Sequence, residues 1–219
     1  MPIKRHKNAR RQSEGATLVE EQESLETAAM ATTPRITLRT ATPKDLRQIL
    51  TFIKDLAAYE RLSHQVTASP AVVRAALFPR DGRPAAECLL AFVDADAAGF
   101  AVFYPNFSTF VGRPGLFLED LFVRPDYRRM GVGRALWTAV ARTAAKRKCR
   151  RMDWLVLSWN KKAQRFYRSL GARHHPTWTL CRIEGERLAG YARTKAPART
   201  AHPAVTPRTR NAPLKKGTP

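Results

Sequence analysis

Residues 116–134 read LFLEDLFVRPDYRRMGVGR, and no other stretch restricts the fold as strongly. Leu116–Val123 is an apolar run of strand length. Pro125 then forces a turn, and Arg128-x-x-Gly131-x-Gly133 leads directly into a helical pattern from Gly131 to about Lys148. A strand that passes through a glycine loop into a helix leaves the first backbone N–H groups unpaired, in the positive end of the helix dipole. Such groups bind phosphate. Gly131 and Gly133 keep side chains off the path of a ligand, and Arg129 and Arg134 can add charge-assisted bonds. Taken alone, the pattern better describes a glycine turn capping a helix. It lacks the Gly-Lys-Ser/Thr of a P-loop, and it is not the six-residue dinucleotide fingerprint after a first strand.

The surrounding segments supply a sheet for this unit. Arg35–Arg39 alternates as a short strand. Pro43-Lys44-Asp45 opens a helix capped by Thr42, with Leu46, Ile49, Ile53, Leu56 and Tyr59 recurring at three or four. A second helix follows Ser69-Pro70, with Val72, Val73, Ala76 and Leu77 on its apolar face. Glu87–Val93 and Gly99–Tyr104 read as strands and Pro105–Pro114 as a loop. Met152–Leu157 reads as a strand, Lys161–Leu170 as a helix ended by Gly171, and Thr177–Ile183 as a last strand. The order β-α-α-β-β-β-α-β-α-β belongs to the α/β class: a mixed α+β sheet with helices on its faces, in one domain spanning 35–192.

Charge has to be placed before it can be interpreted. The 219 residues hold 39 Lys and Arg against 18 Asp and Glu, a formal net charge of +21. Residues 1–34 carry five Lys/Arg and five Glu, sorted basic then acidic, without an aromatic residue; this composition predicts a disordered arm, with a short helix possible over 18–30. Residues 193–219 hold seven Lys/Arg, no acid and five Pro, the composition of a disordered basic tail. Between Arg124 and Arg173 fifteen Lys/Arg face only Asp126 and Asp153, so an anionic ligand is expected there. Nucleic-acid binding argued from charge would need aromatic–basic surfaces such as ribonucleoprotein motifs, and none is visible. No apolar run has the eighteen or so residues of a transmembrane helix, and no apolar stretch follows the basic MPIKRHKNARRQ. Neither a membrane nor a secretory signal is expected. Cys88, Cys149 and Cys181 are widely spaced and form no C-x-x-C pair, and the histidines show no ligand spacing. A cytoplasmic protein without a metal is the expectation.

Three motifs in sequence resemble one family. Leu118-Glu119-Asp120-Leu-Phe-Val123 with Pro-x-Tyr-Arg and the glycine loop is similar to the acetyl-CoA-binding core of the GNAT superfamily of N-acetyltransferases. Val156-Leu-Ser-Trp-Asn160 and Ala163-x-x-Phe166-Tyr167-x-x-Leu-Gly171-Ala172 follow in the order and spacing of the same superfamily. Leu56-Ala-Ala-Tyr59-Glu60 and Tyr104-x-Asn-Phe-x-Thr-Phe narrow the resemblance to the diamine branch, the spermidine/spermine and thialysine acetyltransferases, in its bacterial form.

The resemblance implies the acyl-CoA N-acyltransferase fold and direct transfer from acetyl-CoA to a primary amine in a ternary complex. It implies pyrophosphate at Arg128, Arg129, Met130, Gly131, Val132, Gly133 and Arg134. Backbone N–H groups along Leu121, Phe122 and Val123 would meet the developing oxyanion. Asn160 would bind the pantetheine arm, with Lys161, Lys162 and Ala163 nearby. Tyr167 is the implied general acid, since a phenol near pKa 10 can protonate a leaving thiolate near roughly 8.5; spacing alone instead makes it a core aromatic beside Phe166.

Glu119 and Asp120 are adjacent in a strand, so they are expected on opposite faces, and Glu119 is chosen for the cleft. It would hold the amine or accept its proton; the competing reading pairs it with an arginine. Tyr59, Glu60, Asp153, Trp154 and Leu155 complete the implied amine groove. Ser158, where relatives carry an acid, and Arg61 beside Glu60 reduce negative charge there, which favours a simple primary amine over a long polycation. The resemblance also implies a homodimer, while the tail would add weak polyanion contact. Three alternatives stay open: a protein or peptide N-acetyltransferase, an acyl-CoA sensor without turnover, and a non-enzymatic polyanion-binding protein.

Overall fold

The computed structural model describes residues 34–193. The two arms expected from composition, and the short helix within the first, lie outside the described residues apart from Pro34 and Arg193. The chain divides into two compact units, residues 1–161 and 162–219.

The first unit is built on a five-stranded sheet in the order β1 (Ile36–Thr40), β2 (Glu87–Val93), β3 (Asp96–Ser108), β4 (Arg113–Val123) and β5 (Met152–Trp154). The first four strands are antiparallel, and β5 is parallel to β4. Two helices, α1 (Leu46–Glu60) and α2 (Pro70–Leu77), cover one face. There Ile49, Phe52 and Val73 pack on Leu90, Phe100, Val102 and Phe122, and the Phe52 ring stacks on Phe100 at 5.3 Å. The opposite face is covered by α3 (Val132–Lys146), whose Val132, Leu136, Val140 and Ala144 bury against Ala91, Ala101, Phe103, Leu116 and Leu118. The spacing of four between those α3 residues is the apolar stripe that the sequence displays.

Local chemistry explains the helix ends. A 3-10 turn over Pro43–Asp45 leads into α1, where the Asp45 carboxylate accepts from the Thr42 amide at 2.7 Å and hydroxyl at 2.8 Å. Arg39 donates to both Asp45 oxygens at 2.7 Å, and this fork holds the carboxyl well below the usual carboxylate range. Ser69 caps α2 through the Val72 amide. At its other end α1 closes with Arg61 in the left-handed conformation (φ 62°), its amide bonded to Ala58 O and that of Leu62 to Ala57 O.

Three expectations need correction. The loop expected over 105–114 is mostly strand, because β3 runs on to Ser108 and β4 begins at Arg113. Pro105 is tolerated since β2 pairing ends at Phe103, leaving β3 with one neighbour and no use for that N–H. The strand expected over 152–157 stops at Trp154. Thr177–Ile183 forms no strand; every residue of it is exposed, and alternation without a hydrogen-bonding partner does not make a ladder.

The second unit contains α4 (Lys161–Ser169), which begins at the division, and α5 (Gly185–Arg193), which periodicity had not announced. Gly171 (φ 85°) follows α4, and the Leu170 and Ala172 amides both donate to Tyr167 O. No helix among the described residues is long and apolar enough to cross a membrane.

Close approach of β3 to β4 makes a specific demand at Gly99, where a Cβ would run into the Phe122 carbonyl oxygen and sit 3.2 Å from Val123 Cα. Gly99→Ala should lower stability in urea unfolding by about 1–3 kcal/mol, the usual cost of overpacking against backbone. An unchanged midpoint would mean that the two strands separate freely at this point.

Candidate active site

A bulge in β4 organises the site. Phe103 pairs with Leu118 and Val102 with Asp120, so Glu119 is an extra residue opposite no partner. Before it, Leu116 and Leu118 face α3; after it, Leu121 and Val123 face α3 while Phe122 faces α1. The bulge resets the alternation. Glu119, next to Leu118, and Asp120, opposite Val102, therefore both lie on the α1 face. The expected separation of these two carboxylates onto opposite faces is corrected accordingly: strict alternation fails at a bulge.

Each acid has distinct surroundings. Glu119 Oε2 accepts from the Tyr104 hydroxyl at 3.3 Å, and the Tyr104 ring stacks on Phe117 at 5.3 Å. Burial and the nearby Glu119 carboxylate raise the Tyr104 pKa, so this phenol stays a donor. Asp120 is pushed up to about 7, first by burial and then by the negative charges of Glu119 and Glu60. Burial also raises Glu60, at the last turn of α1. Three carboxyl groups thus share one electrostatic environment, and Asp120 changes charge near neutral pH. Sequence reasoning passed over Asp120 and Tyr104. The signal was an acidic pair inside an otherwise unbroken apolar strand, which cannot keep both acids out of the core unless the strand is irregular.

Behind Asp120, Val102 pairs with Cys88, whose thiol is buried and pushed up to about 12, chiefly by that burial. Such a thiol is not a nucleophile near neutral pH.

The β4–β5 edge opens at the bulge. These strands pair only over Leu116–Leu118 and Met152–Trp154, so Glu119–Val123 continues with a sheet partner on the β3 side alone. Past Val123 the loop reverses through a 3-10 turn (Pro125–Tyr127), Arg129 at φ 68° and Gly131 at φ 92°. Gly131 is the N-cap of α3, and Ala135 is the first amide to close back onto it, at 2.9 Å. A Cβ at Gly131 would meet Ile36 at an ordinary 3.7 Å, so glycine is required for its φ rather than for space. Arg129, Met130 and Arg134 are exposed around this N-terminus, whereas the Val132 side chain is buried in the α3 core and offers only backbone.

The remaining expected residues are distributed as follows. The Tyr59 hydroxyl donates to Asn160 Oδ1 at 3.4 Å, and its ring lies 6.0 Å from Trp159. Asp153 accepts from Arg151 Nε at 2.8 Å and from Asn106 Nδ2 at 3.2 Å. Trp154 packs edge-on against Trp137 of α3 at 6.4 Å, on the face away from Asp120, and Leu155 is exposed. In the second unit, Tyr167 is half-buried on α4, with its ring 5.2 Å from Phe166; Lys162 and Ala163 lie in the first turn of that helix. Among the described residues no group of three or more His, Cys, Asp or Glu is placed to hold a metal ion.

Raised acidity of this kind has a stability signature. Asp120 binds its proton more tightly folded than unfolded, so stability falls as pH rises from about 4 through 7 and levels off above. Asp120→Asn should remove that slope: relative to the variant, the wild type is less stable at pH 8 than at pH 5 by urea unfolding. Parallel pH profiles for the two proteins would show that Asp120 titrates as an ordinary carboxylate.

Known proteins match this arrangement. The sequence profile of the Acetyltransferase (GNAT) family matches residues 53–172. Thialysine N-epsilon-acetyltransferase of Sus scrofa is 34% identical over 170 residues, covering 70% of this chain and 95% of that protein. L-Ornithine N5-acetyltransferase of Arabidopsis thaliana is 43% identical over 95 residues, which spans 43% of this chain and 42% of that protein. Among solved structures, an integron cassette protein from the mobile metagenome of V. cholerae superposes with a TM-score of 0.60 at 24% identity, covering 73% of this chain and 98% of that one.

Proposed function

The chain belongs to the GNAT family of acetyltransferases and is an acetyl-CoA-dependent N-acetyltransferase acting on amines; from this premise we propose that its acceptor is the primary amine of a small cationic molecule, a basic amino acid side chain or a short diamine. The observation that carries the reading is the grouping of Asp120, Glu119 and Glu60 on one face of the bulged strand, with Asp120 ionising near pH 7. A cation entering this cleft meets acids in an otherwise strongly basic chain. The relatives named for thialysine and ornithine support an amino-acid acceptor. Arg61, which follows Glu60 and is exposed, lowers the negative charge there and weighs against a long polycation such as spermine.

Coenzyme A suits the residues present. Its phosphates are polyanionic, and the α3 N-terminus offers unpaired N–H groups, a glycine N-cap in the left-handed conformation and no acid in the first turn. An extended amide-bearing arm suits the one-sided edge of Glu119–Val123. Arg129 and Arg134 would hold the phosphates with the backbone of 130–133, and Asn160 with Lys161 would hold the arm. The bound thioester supplies the activated acetyl group.

The chain's own groups then manage protons and charge. Asp120 attracts the ammonium when ionised and accepts its proton, a task suited to a carboxylate whose pKa lies near the working pH. Glu119, tied to Tyr104, keeps the amine oriented. Backbone N–H groups of the open β4 edge meet negative charge as it develops on oxygen. The family resemblance assigns to Tyr167 the role of acid toward the departing sulfur. Transfer is direct in a ternary complex, as the family resemblance implies, and the buried Cys88 thiol behind Asp120, pushed up to about 12, offers no thiolate near neutral pH.

Ornithine, lysine, thialysine, short diamines, spermine and basic peptides should be compared as acceptors. The expected order places basic amino acids and diamines above spermine and peptides in kcat/KM. Acetylation confined to peptides would overturn the small-molecule reading. Asp120→Asn should lower kcat by about 10²–10⁴ and abolish the rise in rate through pH 7, leaving only the limb from the amine itself. Tyr167→Phe should lower kcat strongly with acetyl-CoA affinity held; unchanged turnover would remove Tyr167 as the acid.

A further inference from the structure

The glycine-loop motif assigns Arg128 to phosphate, but its side chain is committed elsewhere. Its Nε donates to the Val123 carbonyl oxygen at 2.9 Å, at the end of the open β4 edge. The guanidinium lies over the Tyr59 ring at 4.6 Å from the centroid and near the Phe122 ring at 5.9 Å. Arg128 is itself only partly exposed. Tyr59 in turn donates to Asn160, which is buried, and immediately precedes Glu60, whose charge acts on Asp120. A continuous chain therefore runs from Val123 through Arg128 and Tyr59 to Asn160, joining the end of β4, the loop and the last turn of α1.

We propose that Arg128 is a positioning residue for the amine side of the site, bracing Tyr59 and Glu60 against the end of β4, rather than a ligand of the cofactor phosphates. This rests on the amine-acetylation reading above. A guanidinium suits the task because it can give an N–H to a carbonyl in its plane while its face covers an aromatic ring. Lysine cannot do both, although it would serve a phosphate as a point charge. Phosphate binding is left to backbone amides and to Arg129 and Arg134, which are exposed where Arg128 is half-buried.

The test uses the full-length enzyme with Arg128→Lys, Arg128→Gln, Tyr59→Leu and the Arg128→Lys/Tyr59→Leu pair. Two quantities are read: coenzyme A affinity by calorimetry, and KM and kcat for the best amine. Arg128→Lys should raise the amine KM by about tenfold with coenzyme A affinity within about threefold. Tyr59→Leu should do the same, and the double variant should be no worse than either single one, as expected for two residues that act through one contact. A tenfold loss of coenzyme A affinity in Arg128→Lys with the amine KM unchanged would return Arg128 to the phosphates and overturn the proposal. So would fully additive effects in the pair. Should Arg128→Gln fail to fold by thermal melting, Arg128→Lys retains the stem and charge and still decides. A wild type that acetylates no amine would sink the acceptor reading, while the coenzyme A titration would still separate a phosphate ligand from a brace.

Discussion

Opening of the sheet at Glu119 is the constraint from which the rest of the site follows. Over Leu116–Leu118, β4 is an interior strand with partners on both sides; beyond Leu118, only β3 remains. Such a break ordinarily leaves backbone groups without partners, which is costly inside a protein unless a ligand or water takes them up. The bulge falls at the same place and adds a second effect. By inserting one residue, it keeps Leu121 and Val123 in the α3 core while delivering two carboxylates to the α1 face. With regular alternation, one of the acids would point into the apolar layer formed by Leu136 and Val140, at the price of a buried, unpaired charge.

The charge distribution follows the same division. Arg124, Arg128, Arg129 and Arg134 lie along the loop and the first turn of α3, whereas Glu60, Glu119 and Asp120 gather before it. One side therefore suits a polyphosphate and the other an ammonium, and the two fields meet along a strand end. Other carboxylates are spent on structure: Asp45 is held by Arg39, and Glu87 takes a two-bond fork from Arg147 at 2.6 and 2.7 Å. Glu119 instead accepts from the Tyr104 hydroxyl, and with Glu60 it acts on Asp120 through like charge. The surplus of arginine in the chain makes that separation informative.

Much of this was legible in the sequence. Long periodic segments identified α1, α2, α3, β2 and β4 because their apolar faces bury against a sheet whatever the details. Pro105 misled, since a proline reads as a break and only the early end of β2 makes it harmless. Thr177–Ile183 misled in the other direction: its pattern favours a strand, but pairing is a property of a neighbour and not of the segment. Glycines at 185 and 190 hid α5. Within the site, Tyr59, Glu60, Glu119 and the glycine loop were marked by motif, whereas Asp120 was lost to the rule of alternation. A bulge leaves little trace in composition, and the commitment of Arg128 to Tyr59 and Val123 none at all, because both depend on where distant strands end.

A carboxyl group that ionises near pH 7 also binds substrate and proton in competition. Below that pH Asp120 is mostly neutral, and an incoming ammonium must expel its proton before the full attraction is available. Binding of the proposed amine is thus linked to proton release, and its apparent affinity rises with pH until Asp120 is ionised. The same linkage runs in reverse: a bound cation offsets Glu119 and Glu60 and draws the Asp120 pKa down. The free cleft is the least favourable state for ionised Asp120, and the amine relieves it. Acidity of this kind suits the proposed acceptor, a cation that arrives with a proton to lose, and the grouped acids speak more clearly about that proposal than the overall charge of the chain does.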